Sequence, residues 1–219
     1  MTPGLVIFDC DGVLVDSEPI TNRELAADLT AHGLPLTTEE CIANFVGGTM
    51  RSVAEKARTM GADLPDDWVE RFYDRMCAAL DKDITAIRGA AHAVDRITAA
   101  GIPVAIGSNG PMRKMDITLG RTGLVNRFTG RIFSAHEMGI AKPDPTFYTR
   151  IADTLDTPHH ATIVIEDSAS GVKSAVGGGL RCLGYAAETP AETLAVHGAE
   201  PFDDMAALPA LLGLNEDNP

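Results

Sequence analysis

The sequence has no apolar run near the ~18 residues that a membrane-spanning helix requires. It is also poor in basic side chains. Its 18 lysines and arginines stand against 31 acids, a formal charge of -13 at neutral pH. Nucleic acid is therefore an unfavourable partner, since binding by counterion release needs a basic face. The N-terminus carries no basic segment and its first apolar run stops at Asp9, which argues against a secretory signal. Cysteines are few and scattered. Cys10, Cys41, Cys77 and Cys182 form no CxxC pair, so neither a disulfide framework nor a thiolate metal site is expected, and a reducing cytoplasm suits this usage best. His136-Glu137 lacks the second histidine of a zinc-protease helix, and His159-His160 has no ligand partner at a recognised spacing. There is no repeat, low-complexity tract or Ser/Gly linker. With 219 residues, 45% hydrophobic and 22% charged, the chain reads as a soluble, acidic, cytoplasmic protein of one comfortable domain or two small ones.

Three short apolar runs stand out: Leu5-Val6-Ile7-Phe8, Val104-Ala105-Ile106 and Ile163-Val164-Ile165. Continuous rather than alternating runs of branched aliphatics suit parallel strands buried on both faces. Weaker runs at Arg131 to Ser134 and Leu180 to Leu183 add two more candidates. Helical patterning fills the gaps, at Ala90 to Ala100, Pro111 to Leu119, and Pro145 to Leu155 with Asp144 as its N-cap. Strands alternating with helices predict an α/β fold with a doubly wound parallel sheet.

From Ser17 to about Ile87 that rhythm stops. Glu18 to His32, Thr49 to Met60 and Asp66 to Leu80 read as helices, the first two closed by Gly33 and Gly61. So long a helical stretch is too much for an ordinary crossover. It is expected to form an inserted all-helical cap, residues 16–88, on a catalytic core made of 1–15 and 89–219. Trp68 and Phe72, four apart, are expected to pack the interior of that insert. The tail, Asn215 to Pro219, is polar and expected to fray.

In an open parallel sheet, ligands bind beyond the carboxyl ends of the strands. The first clear strand ends in Asp9-Cys10-Asp11-Gly12, the second in Ser108-Asn109-Gly110 and the third in Glu166-Asp167-Ser168. Asp9 and Asp11 are two apart, so in extended backbone their carboxylates point to one side, and Cys10 points away as a packed thiol. Several carboxylates in one small site repel unless a cation is present, and hard oxygen ligands select Mg²⁺. Lys142, in Lys142-Pro143-Asp144-Pro145, adds a fixed positive charge.

The segment Phe8-Asp9-Cys10-Asp11-Gly12-Val13-Leu14-Val15-Asp16-Ser17, followed in order by Ser108, Lys142 and Glu166-Asp167, resembles the signature of the haloacid dehalogenase-like superfamily over nearly the whole chain. The helical insert resembles that family's cap. Within the family, Ser108-Asn109-Gly110-Pro111 with Lys114-Met115 is similar to the 6-phosphogluconate phosphatase-like members of the β-phosphoglucomutase-like subgroup. The resemblance implies a Mg²⁺-dependent phosphatase of a small phosphorylated metabolite, a sugar phosphate or phosphorylated sugar acid, working through an aspartyl-phosphate. It implies Asp9 as nucleophile and Asp11 as acid and base. Ser108, Asn109 and Lys142 would hold the phosphoryl group, and Asp9, Asp11 (through its main-chain carbonyl), Glu166 and Asp167 would form the metal site. Arg51, after Gly47-Gly48 in the insert, and Lys114 are the candidates for gripping the rest of the substrate.

Other functions fit less well. A haloacid dehalogenase lacks the second acid, which here is Asp11. A β-phosphoglucomutase-like mutase carries a cap-hinge histidine where this chain has Thr21. A phospho-accepting receiver places its aspartate on a middle strand and has no helical insert. Nothing in the sequence speaks to oligomeric state.

Overall fold

A computed structural model describes residues 2–45 and 49–214. The Gly47-Gly48 pair and the tail Asn215 to Pro219 lie outside the described residues. The chain divides into two compact units, one formed by residues 1–16 and 86–219, the other by 17–85.

The first unit is built on strands β1 (Leu5–Phe8), β2 (Val104–Ser108), β3 (Ile132–Ser134), β4 (Thr162–Glu166), β5 (Arg181–Tyr185) and β6 (Glu200–Phe202). They form a parallel six-stranded sheet in the order β3-β2-β1-β4-β5-β6. The order reverses at β1, so the crevice beyond the carboxyl ends of β1 and β4 is the topological switch point of a doubly wound sheet. Register brings those ends level: Phe8 pairs with Ile165, and the Asp9 N–H donates to the Ile165 carbonyl at 2.9 Å. β1, β2 and β4 are buried along their whole length, as continuous apolar runs require.

Helices of this unit are α5 (Ala90–Ala99), α6 (Met112–Arg121), α7 (Ala135–Met138), α8 (Thr146–Thr154), α9 (Ala169–Gly177), α10 (Ala191–Ala195) and α11 (Leu208–Leu211); the preceding four, α1 to α4, belong to the other unit. Leu5, Ile7 and Val164 of the sheet pack in one core with Phe147 and Ile151 of α8 and Val172 of α9. Phe8 meets Phe128 edge-on with ring centres 6.1 Å apart. The predicted start of α8 moves by one residue: Pro145, expected as the first helical residue, is the N-cap in place of Asp144, and Asp144, one residue further out, accepts from the Thr146 N–H through Oδ1 at 2.8 Å.

The second unit contains α1 (Glu18–Ala31), α2 (Thr38–Phe45), α3 (Met50–Thr59) and α4 (Trp68–Asp83). α2 was not among the predicted helices, although a capping box marks its start. The Glu40 N–H donates to Thr37 Oγ1 and the Thr37 N–H to Glu40 Oε2. Trp68 and Phe72 stack at 5.2 Å within the unit's core, which also holds Leu25, Leu29, Met76 and Leu80. No helix among the described residues is long and apolar enough to cross a membrane.

A buried polar network joins two helices of this unit. Asp28, buried on α1, accepts from Trp68 Nε1 at 2.6 Å and from an Arg75 guanidinium nitrogen at 3.0 Å. Asp28→Ala strands a buried indole N–H and should destabilise the protein by roughly 1.5–3 kcal/mol, the range for hydrogen bonds to a charged group. Urea unfolding followed by Trp68 fluorescence measures it, and a loss below about 0.5 kcal/mol would mean that the apolar core alone holds the unit.

Candidate active site

The strand ends gather the predicted residues on one rim of the sheet. Asp9 follows β1, Ser108 closes β2 and Glu166 closes β4. Lys142 reaches in from the loop before α8. Its Nζ lies 2.5 Å from Asp9 Oδ1 and 2.6 Å from Glu166 Oε1, with all three side chains buried. A single ammonium is thus shared by two carboxylates on neighbouring strands.

Glu166 is the more tightly held of the two. Oε1 also accepts from the Tyr148 hydroxyl at 2.7 Å. Oε2 accepts from the Asp167 N–H at 3.1 Å, the Ser168 N–H at 3.0 Å and Ser168 Oγ at 2.9 Å. Burial alone would raise its pKa, but Lys142, Tyr148 and the Ser168 N–H outweigh burial and hold the carboxyl below its ordinary range. Asp9 has fewer donors. Burial pushes it up to about 7 against the pull of Lys142, with Glu166 and Asp11 adding to the rise. Lys142 is held above its ordinary value, because the two carboxylates outweigh the burial that opposes its charge.

Asp11 has a different lysine. Lys114 Nζ, on α6, lies 2.7 Å from Asp11 Oδ1. The two acids predicted to face the same way therefore each carry their own cation. Cys10 between them is buried, with its thiol pushed far up by burial and by both neighbouring acids; it is a packed thiol, as expected.

Asp9, Glu166 and Asp167 each offer a carboxylate oxygen, all lying within 4.8 Å of one another. Asp9 and Glu166 share the Lys142 ammonium and Asp11 pairs with Lys114, so with Asp167 beside them four carboxyl groups stand against two ammonium groups and the site is electronegative. An all-oxygen, electronegative donor set of this kind fits a hard cation such as Mg²⁺. Gly12 belongs to the same construction. It adopts a φ of +75°, and a Cβ there would overlap the Asp167 carboxylate, so both backbone conformation and close approach require glycine.

Two predicted site residues have partners within the protein. Asn109 was expected to contact phosphate, yet its side-chain amide is engaged with the main chain of Lys142. Oδ1 accepts from the Lys142 N–H at 3.0 Å and Nδ2 donates to its carbonyl at 3.4 Å. It clamps the loop that delivers the lysine. Lys114, expected to grip substrate, is paired with Asp11. Ser108 is buried at the rim, its Oγ accepting from the Gly110 N–H at 3.0 Å. Arg51 lies in the helical unit, exposed in the first turn of α3.

Sequence reasoning missed Tyr148 and Gly171, and gave Ser168, at the third strand end, no role. Ser168 is the N-cap of α9, accepting from the Gly171 N–H at 3.1 Å while donating to Glu166. A Cβ on Gly171 would overlap the Glu166 carboxylate. A serine directly after an acidic strand end, with glycine three residues on, was a readable helix-start signal. Tyr148 gave none, since a tyrosine beside Phe147 on an apolar helix face looks like ordinary core.

With this geometry in place, likeness to known proteins becomes informative. Residues 3–179 match the haloacid dehalogenase-like hydrolase family. The 6-phosphogluconate phosphatase of Escherichia coli (strain K12) is 29% identical over 208 residues, covering 94% of this chain and 93% of that protein. Hexitol phosphatase A of the same organism is 30% identical, covering 85% and 84%. Among solved structures, a HAD family hydrolase from Deinococcus radiodurans with bound phosphate and sodium superposes with a TM-score of 0.80 at 32% identity, covering 98% of each chain. The chain belongs to the haloacid dehalogenase-like hydrolase family.

Proposed function

We propose that this protein is a Mg²⁺-dependent phosphatase of small phosphorylated metabolites. A phosphorylated sugar acid, 6-phosphogluconate included, is its best candidate substrate. The observation that carries this reading is the convergence of Asp9, Lys142, Glu166 and Asp167 at the carboxyl ends of β1 and β4. It gains support from relatives named as phosphatases of 6-phosphogluconate and of hexitol phosphates. No observation favours a mutase over this.

Asp9 attacks phosphorus in line, forming the aspartyl-phosphate as the bond to the departing alkoxide breaks. Asp11 delivers a proton to that alkoxide oxygen, then takes one from the water that attacks the intermediate, so that phosphate leaves and the Asp9 carboxylate returns. Lys142 offsets charge on both Asp9 and the phosphoryl group, and Ser108 donates its hydroxyl proton to a phosphoryl oxygen. A Mg²⁺ held by Asp9 and Asp167, with the Asp11 main-chain carbonyl, would supply further positive charge to the phosphoryl oxygens. Glu166, whose oxygens are already shared among five donors, backs this site by holding Lys142. Arg51 is assigned the distal carboxylate of a sugar-acid substrate, which a guanidinium binds through two parallel hydrogen bonds.

Asp9→Asn should lower phosphate release by roughly 10³-fold or more while leaving the fold intact by circular dichroism. A near-normal rate would remove the covalent mechanism. Because proton and cation compete for Asp9, whose pKa burial pushes up to about 7, Mg²⁺ affinity should rise about tenfold between pH 6 and pH 8. Titration calorimetry reads this directly, and a flat profile would take the cation off Asp9. Arg51→Ala should shift the ratio of kcat/KM between a phosphorylated sugar acid and an aryl phosphate against the sugar acid, by about 1.5–3 kcal/mol. An unchanged ratio would leave Arg51 no part in choosing substrate.

A further inference from the structure

Lys114 sits where helix electrostatics disfavour it. It occupies the first turn of α6, together with Arg113 and without an acidic residue in that turn, at the end where the helix dipole repels cations. Its side chain is nevertheless turned inward, only 12% exposed, onto Asp11 Oδ1 at 2.7 Å. Gly110 lies beside that path: a Cβ there would rest in ordinary van der Waals contact with Lys114 Cδ at 3.6 Å and Asp11 Oδ2 at 3.7 Å. The turn carrying that glycine is itself held at both ends, with Gly110 N–H donating to Ser108 Oγ at 3.0 Å and Ser134 Oγ donating to the Gly110 carbonyl at 2.8 Å. The strand end, the turn after β2 and the first turn of α6 thus converge on one ion pair.

We infer that Lys114 is the positioning residue of the acid–base step. It fixes Oδ1 of Asp11 so that Oδ2 is the oxygen that hands the proton to the departing alkoxide. The inference rests on the phosphatase reading above and gives that site a residue with a defined task other than gripping substrate. Asp9 and Asp11 then divide the chemistry because each is held by a different lysine: Lys142 steadies the carboxylate that attacks phosphorus, and Lys114 steadies the one that serves the leaving group. A lysine in this role matters most where protonation matters most. Poor leaving groups such as sugar alkoxides need the proton, whereas a dinitrophenolate departs without it.

The test measures kcat/KM along a series of substituted phenyl phosphates and an alkyl phosphate, for the wild type, Lys114→Met, Lys114→Gln and Lys114→Arg. This ratio reports the steps up to loss of the alcohol, so the later hydrolysis of the phosphoenzyme does not enter it. Lys114→Met should lose about 10²-fold on the alkyl phosphate and only a few-fold on dinitrophenyl phosphate, steepening the dependence on leaving-group pKa. Lys114→Gln should fall between, and Lys114→Arg should restore most of the shallow slope. Thermal unfolding of each variant checks the fold, and should Lys114→Met not fold, the slopes of Lys114→Gln and Lys114→Arg decide. A loss equal across the series overturns the positioning role. So does a rise in KM confined to phosphates that carry a carboxylate, which would make Lys114 a substrate ligand. A wild type that hydrolyses none of the series overturns the phosphatase reading and this inference with it.

Discussion

Lys142 sits between Asp9 and Glu166 with its side chain 3% exposed and both contacts at hydrogen-bond length. Buried charges survive only when paired and hydrogen-bonded, and here the pairing ties three separate parts of the chain together. Glu166 is tied down by Tyr148 from α8 and by Ser168 at the start of α9. Lys142 is held at its main chain by Asn109, next to the end of β2. The ammonium therefore transmits the positions of β2, β4, α8 and α9 to the single carboxylate that follows β1. Asp9 is left with the unmet part of the burial penalty, as its raised pKa records. A buried carboxylate with few donors and a neighbouring Asp167 oxygen has most to gain from a cation or an approaching phosphoryl group.

How much of this was legible beforehand follows from where each signal lies along the chain. β1, β2 and β4 are buried on both faces, so their continuous apolar runs were plain, and the residues at or just past their ends named Asp9, Ser108 and Glu166 directly. β6 was invisible. Glu200-Pro201-Phe202 is a three-residue edge strand that its neighbour's pairing creates, without a pattern of its own. Residue types at strand ends showed which side chains gather, but not which cation serves which acid. That depends on side-chain direction, so Lys114 could be found only as a lysine near the site. The same holds for Asn109, whose amide looks equally apt for phosphate and for a neighbouring main chain. Tyr148 combines a core-filling ring with one buried hydroxyl, and only the hydroxyl's target, Glu166, distinguishes it from packing.

Substrate choice is a separate problem from phosphoryl chemistry. Everything assigned to the reacting phosphorus comes from residues 9 to 12, 108 to 114, 142 and 166 to 171, all in the α/β unit. The helical unit has its own apolar core and its own buried polar network around Asp28. The chain's relatives carry the names of phosphatases of different metabolites, among them 6-phosphogluconate and phosphoglycolate, as expected where one fold hosts several functions.

The most direct test of the central interaction is the pH dependence of stability in Lys142→Met, measured by urea unfolding of the metal-free protein. Removing the ammonium leaves two buried carboxylates facing each other, and the folded state then favours the protonated form of at least one. Folding takes up a proton, so stability must fall as pH rises. The expected result is a loss of roughly 3–5 kcal/mol at pH 8, the usual cost of breaking a buried ion pair, narrowing as pH falls to about 7 and smaller at pH 5 than at pH 8; below about 7 the wild type's own Asp9 also takes up a proton on folding. A variant as stable as the wild type at pH 8, or equally destabilised at both pH values, would contradict the claim that Lys142 holds the site together by charge.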